Sequence, residues 1–276
     1  MGFRINTNIP ALQAQTPAKK IAKDTVESIA KLASGERITK AADDAAGLAI
    51  SEKLKAEIRS SRQANRNAND GLSLIQTAEG GLNESSSLLT RMRELAIQAA
   101  SDTLGDTDRA KADIEYQQAK LELERISKTT EFNGRKLLDG SGSKLDFQVG
   151  VGDHSKDDQI SYHSGSVNSG IQTLGVANLA ITSKQGARSS LGSLDLAINK
   201  ISGNRSLLGS IQNRLTNSSS HLSSYYENMN AANNRIRDVD YAEESANHAK
   251  NMILGQTNTA VMAQANMTGQ NALKLL

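Results

Sequence analysis

The sequence predicts a mainly α protein, an elongated antiparallel coiled-coil or helical-bundle rod with a small β-hairpin region and with its N- and C-terminal helices paired. Heptad spacing is the first sign. Sixteen positions at alternating intervals of three and four residues run from Gly47 to Ala99 and include Ile75, Leu82, Leu89 and Met92. Eleven of the sixteen are apolar, where a chain that is 37% hydrophobic predicts about six. A second series, Ile201 to Ile236, includes Leu208, Ile211, Leu215 and Leu222, with nine of eleven positions apolar. Length then selects the shape. A helix from about Asp43 to Ala100 is about 85 Å long at ~1.5 Å per residue, whereas a globule of this chain length is only about 50 Å across.

The elements follow in order. A first helix carries Ile5, Ile9 and Leu12 before Pro17 and Val26 and Ile29 after it, and stops at Gly35. Pro17 has no N–H to give, so a kink or restart is expected there, with Thr16 as the cap. Asp43 and Asp44 sit where carboxylates favour the start of the long helix. That helix ends near residues 101–106, and a shorter one fills 107–129. From Glu131 the texture changes: Leu145, Phe147, Val149 and Val151 alternate with polar residues, the turn-prone stretch 152–158 follows, and Ile160 and Tyr162 resume the alternation. One or two hairpins are expected over about 141–182. The last long helix covers about 187–236 and a final one 241–274, with Leu273 on its apolar side. This divides the chain into paired terminal helices, 1–42 with 238–276, and a rod-shaped helical domain, 43–237. The terminal helices are too poor in large apolar residues to offset their ordering entropy alone, so they need each other and then other chains.

Composition narrows the function. The chain of 276 residues has no Trp, three Phe and no Cys, which suits thin helix seams and excludes disulfides and thiolate metal sites. Lys and Arg number 32 against 30 Asp and Glu, so no net field points to nucleic acid. Arg59, Arg62 and Arg66 line one helical face, but without an aromatic platform they read as a solvated or subunit-contacting face. No apolar run is long enough for membrane insertion, and the first ten residues lack the apolar core of a secretory signal; the expectation is a cytoplasmic chain or one exported without a leader. The His residues at 154, 163, 221 and 248 are scattered and form no helical zinc pair. Asp102, Asp106 and Asp108 lack the distal Glu of a calcium loop. No nucleophile elbow or phosphate loop is present. The chain is therefore read as a non-enzyme without cofactor, metal or catalytic residues.

Blocks at both ends carry a specific resemblance. MGFRINTN at 1–8, LASGERITKAADDAAGLAIS at 32–51, RMRELAIQAASDT at 91–103, EFNGRKLLDG at 131–140, RIRDVDYAEE at 235–244 and VMAQANMTGQNALKLL at 261–276 closely resemble bacterial flagellin. The resemblance implies a structural, secreted subunit that polymerises into the helical filament of the bacterial flagellum for swimming motility. The terminal helices would pair as an inner tube, with the rod domain outside. It further implies the flagellar type III export apparatus, an export chaperone, and filament cap and junction proteins as partners. A hook–filament junction protein with similar ends is the alternative. It also implies a host Toll-like receptor that would contact Arg91, Leu95 and Glu115. The large outer domains common in the family have no room between Gly140 and the last rod helix.

Overall fold

The computed structural model describes residues 7–274, with side chains described as far as Met267; Ile5 and the side chain of Leu273 lie outside them. The elements are α1 (Ile9–Ser34), α2 (Ala45–Ala100), α3 (Asp106–Thr129), β1 (Glu131–Phe132), β2 (Arg135–Lys136), β3 (Lys144–Gln148), β4 (Gln159–His163), α4 (Ile171–Leu174), α5 (Lys184–Arg237) and α6 (Tyr241–Lys274). They form two compact units, residues 1–58 with 227–276 and residues 59–226. The boundaries fall inside α2 and α5, so each of these helices contributes to both units. Boundaries read from the sequence followed the loops, whereas these follow packing.

Local chemistry sets the helix ends. Asn8 caps α1 by accepting from the Ala11 amide (3.2 Å), and Pro10 occupies the first turn, where its missing N–H is not needed. Gly35 closes the helix with φ 71°, donating to the Lys31 carbonyl at 2.8 Å. The expected restart at Pro17 does not occur: α1 runs unbroken from Ile9 to Ser34, and Thr16 is not a cap. The physical reason lies on α6. The Asn258 carboxamide, oriented by its partners, accepts from the Ala18 amide (2.8 Å) and donates to the Ala14 carbonyl (3.2 Å), so a turn loosened by proline is closed from outside.

The start of α2 divides its two acids. Asp44 accepts from the Gly47 amide at 2.8 Å and so caps the helix, while Asp43 folds back on the Thr39 and Lys40 amides at 3.0 Å each. A Cβ on Gly47 would come within 2.4 Å of Asp44 Oδ2 and 2.8 Å of Ile38 Cδ1, which explains a glycine in the first turn. At the far end Arg109 is 7% exposed and donates to the Ala99 carbonyl (2.9 Å), the Ser101 carbonyl (2.8 Å) and Asp106 (2.7 Å). A side chain from α3 thus satisfies carbonyls that the end of α2 leaves free.

In the second unit, residues 59–226, α2 and α5 run antiparallel: Ser61 Oγ donates to the Leu222 carbonyl at 3.2 Å and Arg93 to Asp195 at 2.7 Å. The core draws on α2, α3 and α5 and on the segment between α3 and α5. Toward the start of α2 the apolar series and the buried face diverge. Ile50 is 52% exposed and Ser51 is buried, because a straight helix drifts about 20° per heptad from a 3.5-residue repeat. The antiparallel β3–β4 hairpin lies in the expected region, with Leu145 opposite Tyr162 and Phe147 opposite Ile160. A second ribbon, β1–β2, precedes it. Its two-residue turn holds Asn133 (φ 49°) and Gly134 (φ 75°), the Asn-Gly conformation that matches strand twist.

Leu89→Ala removes a fully buried side chain and is expected to cost about 3 kcal/mol. Leu196→Ala, on the exposed side of α5, should change stability by less than about 0.5 kcal/mol. Urea unfolding of the full chain distinguishes the two.

Candidate functional site

Three surfaces concern function: the paired ends, the junction that holds them, and the exposed side of the second unit. In the first unit α1 packs on α6, and Asn8 Nδ2 donates to the Ala265 carbonyl at 3.0 Å. The pairing covers little apolar surface. Ala14 and Ala265 are buried, but Leu12, Val26, Ile29, Ile253 and Val261 remain exposed.

The junction is built on Arg237, the last residue of α5. Its guanidinium donates to Glu52 on α2 (2.6 Å) and to Glu36 in the α1–α2 loop (3.0 Å). Nε lies 2.8 Å from the other Glu36 oxygen, close enough for an ion pair though not aligned as a hydrogen bond. Backbone pairing adds to it: the Arg37 amide donates to the Arg237 carbonyl (2.6 Å), the Val239 amide donates to the Gly35 carbonyl (3.0 Å), and Arg37 Nη2 donates to the Ile236 carbonyl (2.8 Å). Nearby, Ser51 Oγ donates to Asn233 Oδ1 at 2.8 Å inside the helix pair. The hydrogen bond from Arg237 holds the Glu36 carboxyl below its ordinary value; partial burial opposes the shift, and the charges of Arg237 and Lys55 add to it.

The sequence-predicted residues fall into two groups. The seam positions Ile75, Leu82, Leu89, Met92, Leu208, Ile211, Leu215 and Leu222 are all buried. The proposed receptor residues are placed differently from one another. Arg91 and Glu115 pair at 2.7 Å on the exposed side of α2 and α3, with Glu94 3.1 Å from the same guanidinium. Leu95 is 2% exposed and belongs to the core. Periodicity missed Arg237 and Glu36, whose contacts join parts of the chain about 200 residues apart. The only signal was their place in the two conspicuous blocks at 32–51 and 235–244.

No cluster of three or more metal-ligating side chains occurs among the described residues. Asp102, Asp106 and Asp108 each pair with a base, Lys184 (2.6 Å), Arg109 (2.7 Å) and Lys111 (3.0 Å) respectively. No helix among the described residues is long and apolar enough to cross a membrane.

Comparison with known proteins agrees with this arrangement. The bacterial flagellin N-terminal helical region matches residues 5–143 and the bacterial flagellin C-terminal helical region matches residues 191–276. Flagellin of Halalkalibacterium halodurans is 42% identical over 272 residues, covering 99% of each chain. A flagellar filament core protein of Brachyspira hyodysenteriae is 40% identical over 285 residues, again covering 99% of each. The crystal structure of Bacillus cereus flagellin, 32% identical, superposes with a TM-score of 0.51 over 61% of this chain and 94% of its own. A putative flagellar hook-associated protein of Vibrio parahaemolyticus reaches 0.59 over 71% of this chain and 100% of its own at 16% identity, which shows a shared fold alone. The chain belongs to the bacterial flagellin family.

The depressed Glu36 pKa means that its pairing with Arg237 stabilises the fold above the unfolded value of 4.5 and is lost as pH falls below it. Glu36→Gln is therefore expected to lower the melting temperature at pH 7, with the gap to the parent chain closing as the pH is taken below 4.5. Circular dichroism melts across that range provide the check.

Proposed function

We propose that this chain is a structural subunit of the bacterial flagellar filament, secreted and assembled outside the cell, and that it has no catalytic role. The observation that carries the reading is the pairing of α1 with α6, which joins the two ends of the chain yet leaves large apolar side chains on both helices exposed. A paired element in that state gains most by packing against further copies. The relatives support the same reading, since proteins matching over 99% of both chains carry the names flagellin and flagellar filament core protein. The hook–filament junction alternative draws only on a shared fold.

Export as an unfolded chain through the flagellar type III apparatus, with a chaperone on the way and cap and junction proteins at the filament ends, belongs to this proposal. A chain without Cys cannot be trapped by disulfides before threading. Ends that bury little surface stay marginal until neighbours supply their partners. Host receptor contact belongs to it as well, through the exposed Arg91–Glu115 pair, with Leu95 acting from beneath by holding α2 in place.

Deleting residues 262–276 should leave a folded, helical monomer that does not polymerise; filaments of the truncated chain in electron micrographs would end the proposal. For the receptor surface, Glu115→Lys on the monomer is expected to abolish a Toll-like receptor reporter signal without changing the melt. Leu95→Ala should lower the signal together with stability, by about 3 kcal/mol. An undiminished signal from Glu115→Lys removes the receptor role.

A further inference from the structure

We infer that the Asn133–Gly134 turn of the β1–β2 ribbon is a site of covalent self-modification, at which the asparagine side chain exchanges its amide nitrogen for oxygen from water and becomes aspartyl or isoaspartyl. The inference stands apart from the filament reading. The chain contains the Asn-Gly dipeptide once, at this position. Both residues are exposed, and the Asn133 carboxamide has no hydrogen-bond partner among the described residues. The Gly134 N–H has none among them either, and a Cβ built on Gly134 would meet nothing within 4 Å. No side chain on residue 134 shields its nitrogen, and solvent reaches both reacting groups.

The chemistry needs only water and a solvent base. The base removes the Gly134 amide proton, and the nitrogen attacks Asn133 Cγ. The Cγ–Nδ2 bond breaks and the nitrogen, taking up a proton, leaves as ammonia, which closes a succinimide ring. Water then opens the ring in one of two ways. Attack at Cγ restores the ordinary main chain with aspartate at 133. Attack at the main-chain carbonyl carbon breaks its bond to the Gly134 nitrogen, so the chain now runs through Cγ and carries an extra methylene. The two products act differently on the ribbon. Aspartate suits the same turn, and its new carboxylate lies beside Arg135, which is exposed and has no carboxylate partner among the described residues. The isoaspartyl form lengthens a two-residue turn and so disturbs the pairing of Phe132 with Arg135, just before the fully buried Leu137 and Leu138.

The fold singles out this position among chemically similar ones. Asp139 also precedes a glycine, but its carboxylate accepts from the Ser141 amide at 2.9 Å, and Gly140 is crowded by Asn168. Asn168 accepts from the Gly170 amide (2.8 Å), while the Ser169 nitrogen that would have to attack it donates to the Leu138 carbonyl (2.9 Å) and is buried. Asn178 lies in an exposed turn, but the Leu179 nitrogen donates to the Val176 carbonyl (3.3 Å). Asp70 and Asn217 sit inside α2 and α5, where the helix ladder holds the next amide. At Asn133 the closed turn itself, with φ 49° and 75°, keeps the attacking nitrogen away from Cγ, so reaction runs from the opened tip. That opening is cheap. Each strand has two residues, and an exposed Lys136–Glu131 ion pair is the side-chain contact across them.

The test incubates the folded full-length chain in mildly alkaline buffer made with heavy-oxygen water, then digests it for mass spectrometry. The peptide containing Asn133 is expected to convert about tenfold or more faster than those containing Asn178 or Asn217, because the ribbon tip opens more readily than the packed elements. It should take up one heavy oxygen and separate into two products of equal mass. An isoaspartyl methyltransferase with a labelled methyl donor should label one of the two. Asn133→Gly, which keeps a turn of the same type, should abolish that label and leave the melting curve unchanged. The inference is overturned if Asn133 stays intact in the folded chain while the urea-unfolded chain reacts, or if it converts no faster than Asn217. Methyl label persisting in Asn133→Gly at the parent level overturns it as well.

Discussion

The facing positions of α2 and α5 impose the constraint on which the rest depends. Helices of 56 and 54 residues can stay in contact only where small or apolar side chains recur at helical intervals. In the second unit this is met by Ala64, Ala68, Ile75, Ala78 and Leu82 from α2 and by Leu208, Ile211 and Leu215 from α5, all buried. Alanine at so many of these positions brings the backbones close, which lets a hydroxyl such as Ser61 reach the Leu222 carbonyl directly. A seam of this kind supplies modest stability per residue over a long path. It also explains why α3 and the hairpin matter, since Tyr116, Leu123, Leu137, Leu138 and Tyr162 thicken a core that two helices alone would leave thin.

Polar contacts do their work where the seam cannot reach. Arg237 joins Glu36 and Glu52 at the point where α5 gives way to α6 and where α1 has just ended. Two chain breaks are fixed together by one guanidinium and a short stretch of backbone pairing between Glu36 and Asp238. The fork geometry of arginine suits this place, because it can satisfy two carboxylates at once while its stem is covered. Arg109 plays a similar part at the other end of α2. Asn258 does so across α1 and α6, where Pro17 has removed a helical donor.

Burial is distributed unevenly in a way that fits a polymer. The second unit encloses most of its large side chains, although Ile114, Leu121 and Leu196 stay exposed, while the first buries few and leaves valine, leucine and isoleucine exposed along both paired helices. A chain meant to remain alone gains nothing from such exposure. A chain completed by its neighbours gains much of its missing burial on assembly.

What was legible in the sequence was whatever repeats. The seam residues, the stop at Gly35, the carboxylates before α2, the alternation of Leu145, Phe147, Ile160 and Tyr162, and the extents of α3 and α6 all follow from local spacing, because the helix and the pleat impose their period on nearby residues. The β1–β2 ribbon was missed, since the hairpins were expected only over about 141–182; the Asn133–Gly134 pair is its local signal, which periodicity alone passes over. Contacts between distant parts of the chain were not legible either. That Arg237 meets Glu36, that Arg91 meets Glu115 while Leu95 turns inward, that Asp44 rather than Asp43 caps α2, and that Asn258 carries α1 through Pro17 each depend on which surfaces come together in three dimensions. The sequence by itself determined where helices form and which of their faces are apolar. Only the tertiary structure decided which polar side chains meet and which apolar ones stay exposed, because those outcomes depend on distances across the fold that no local period encodes.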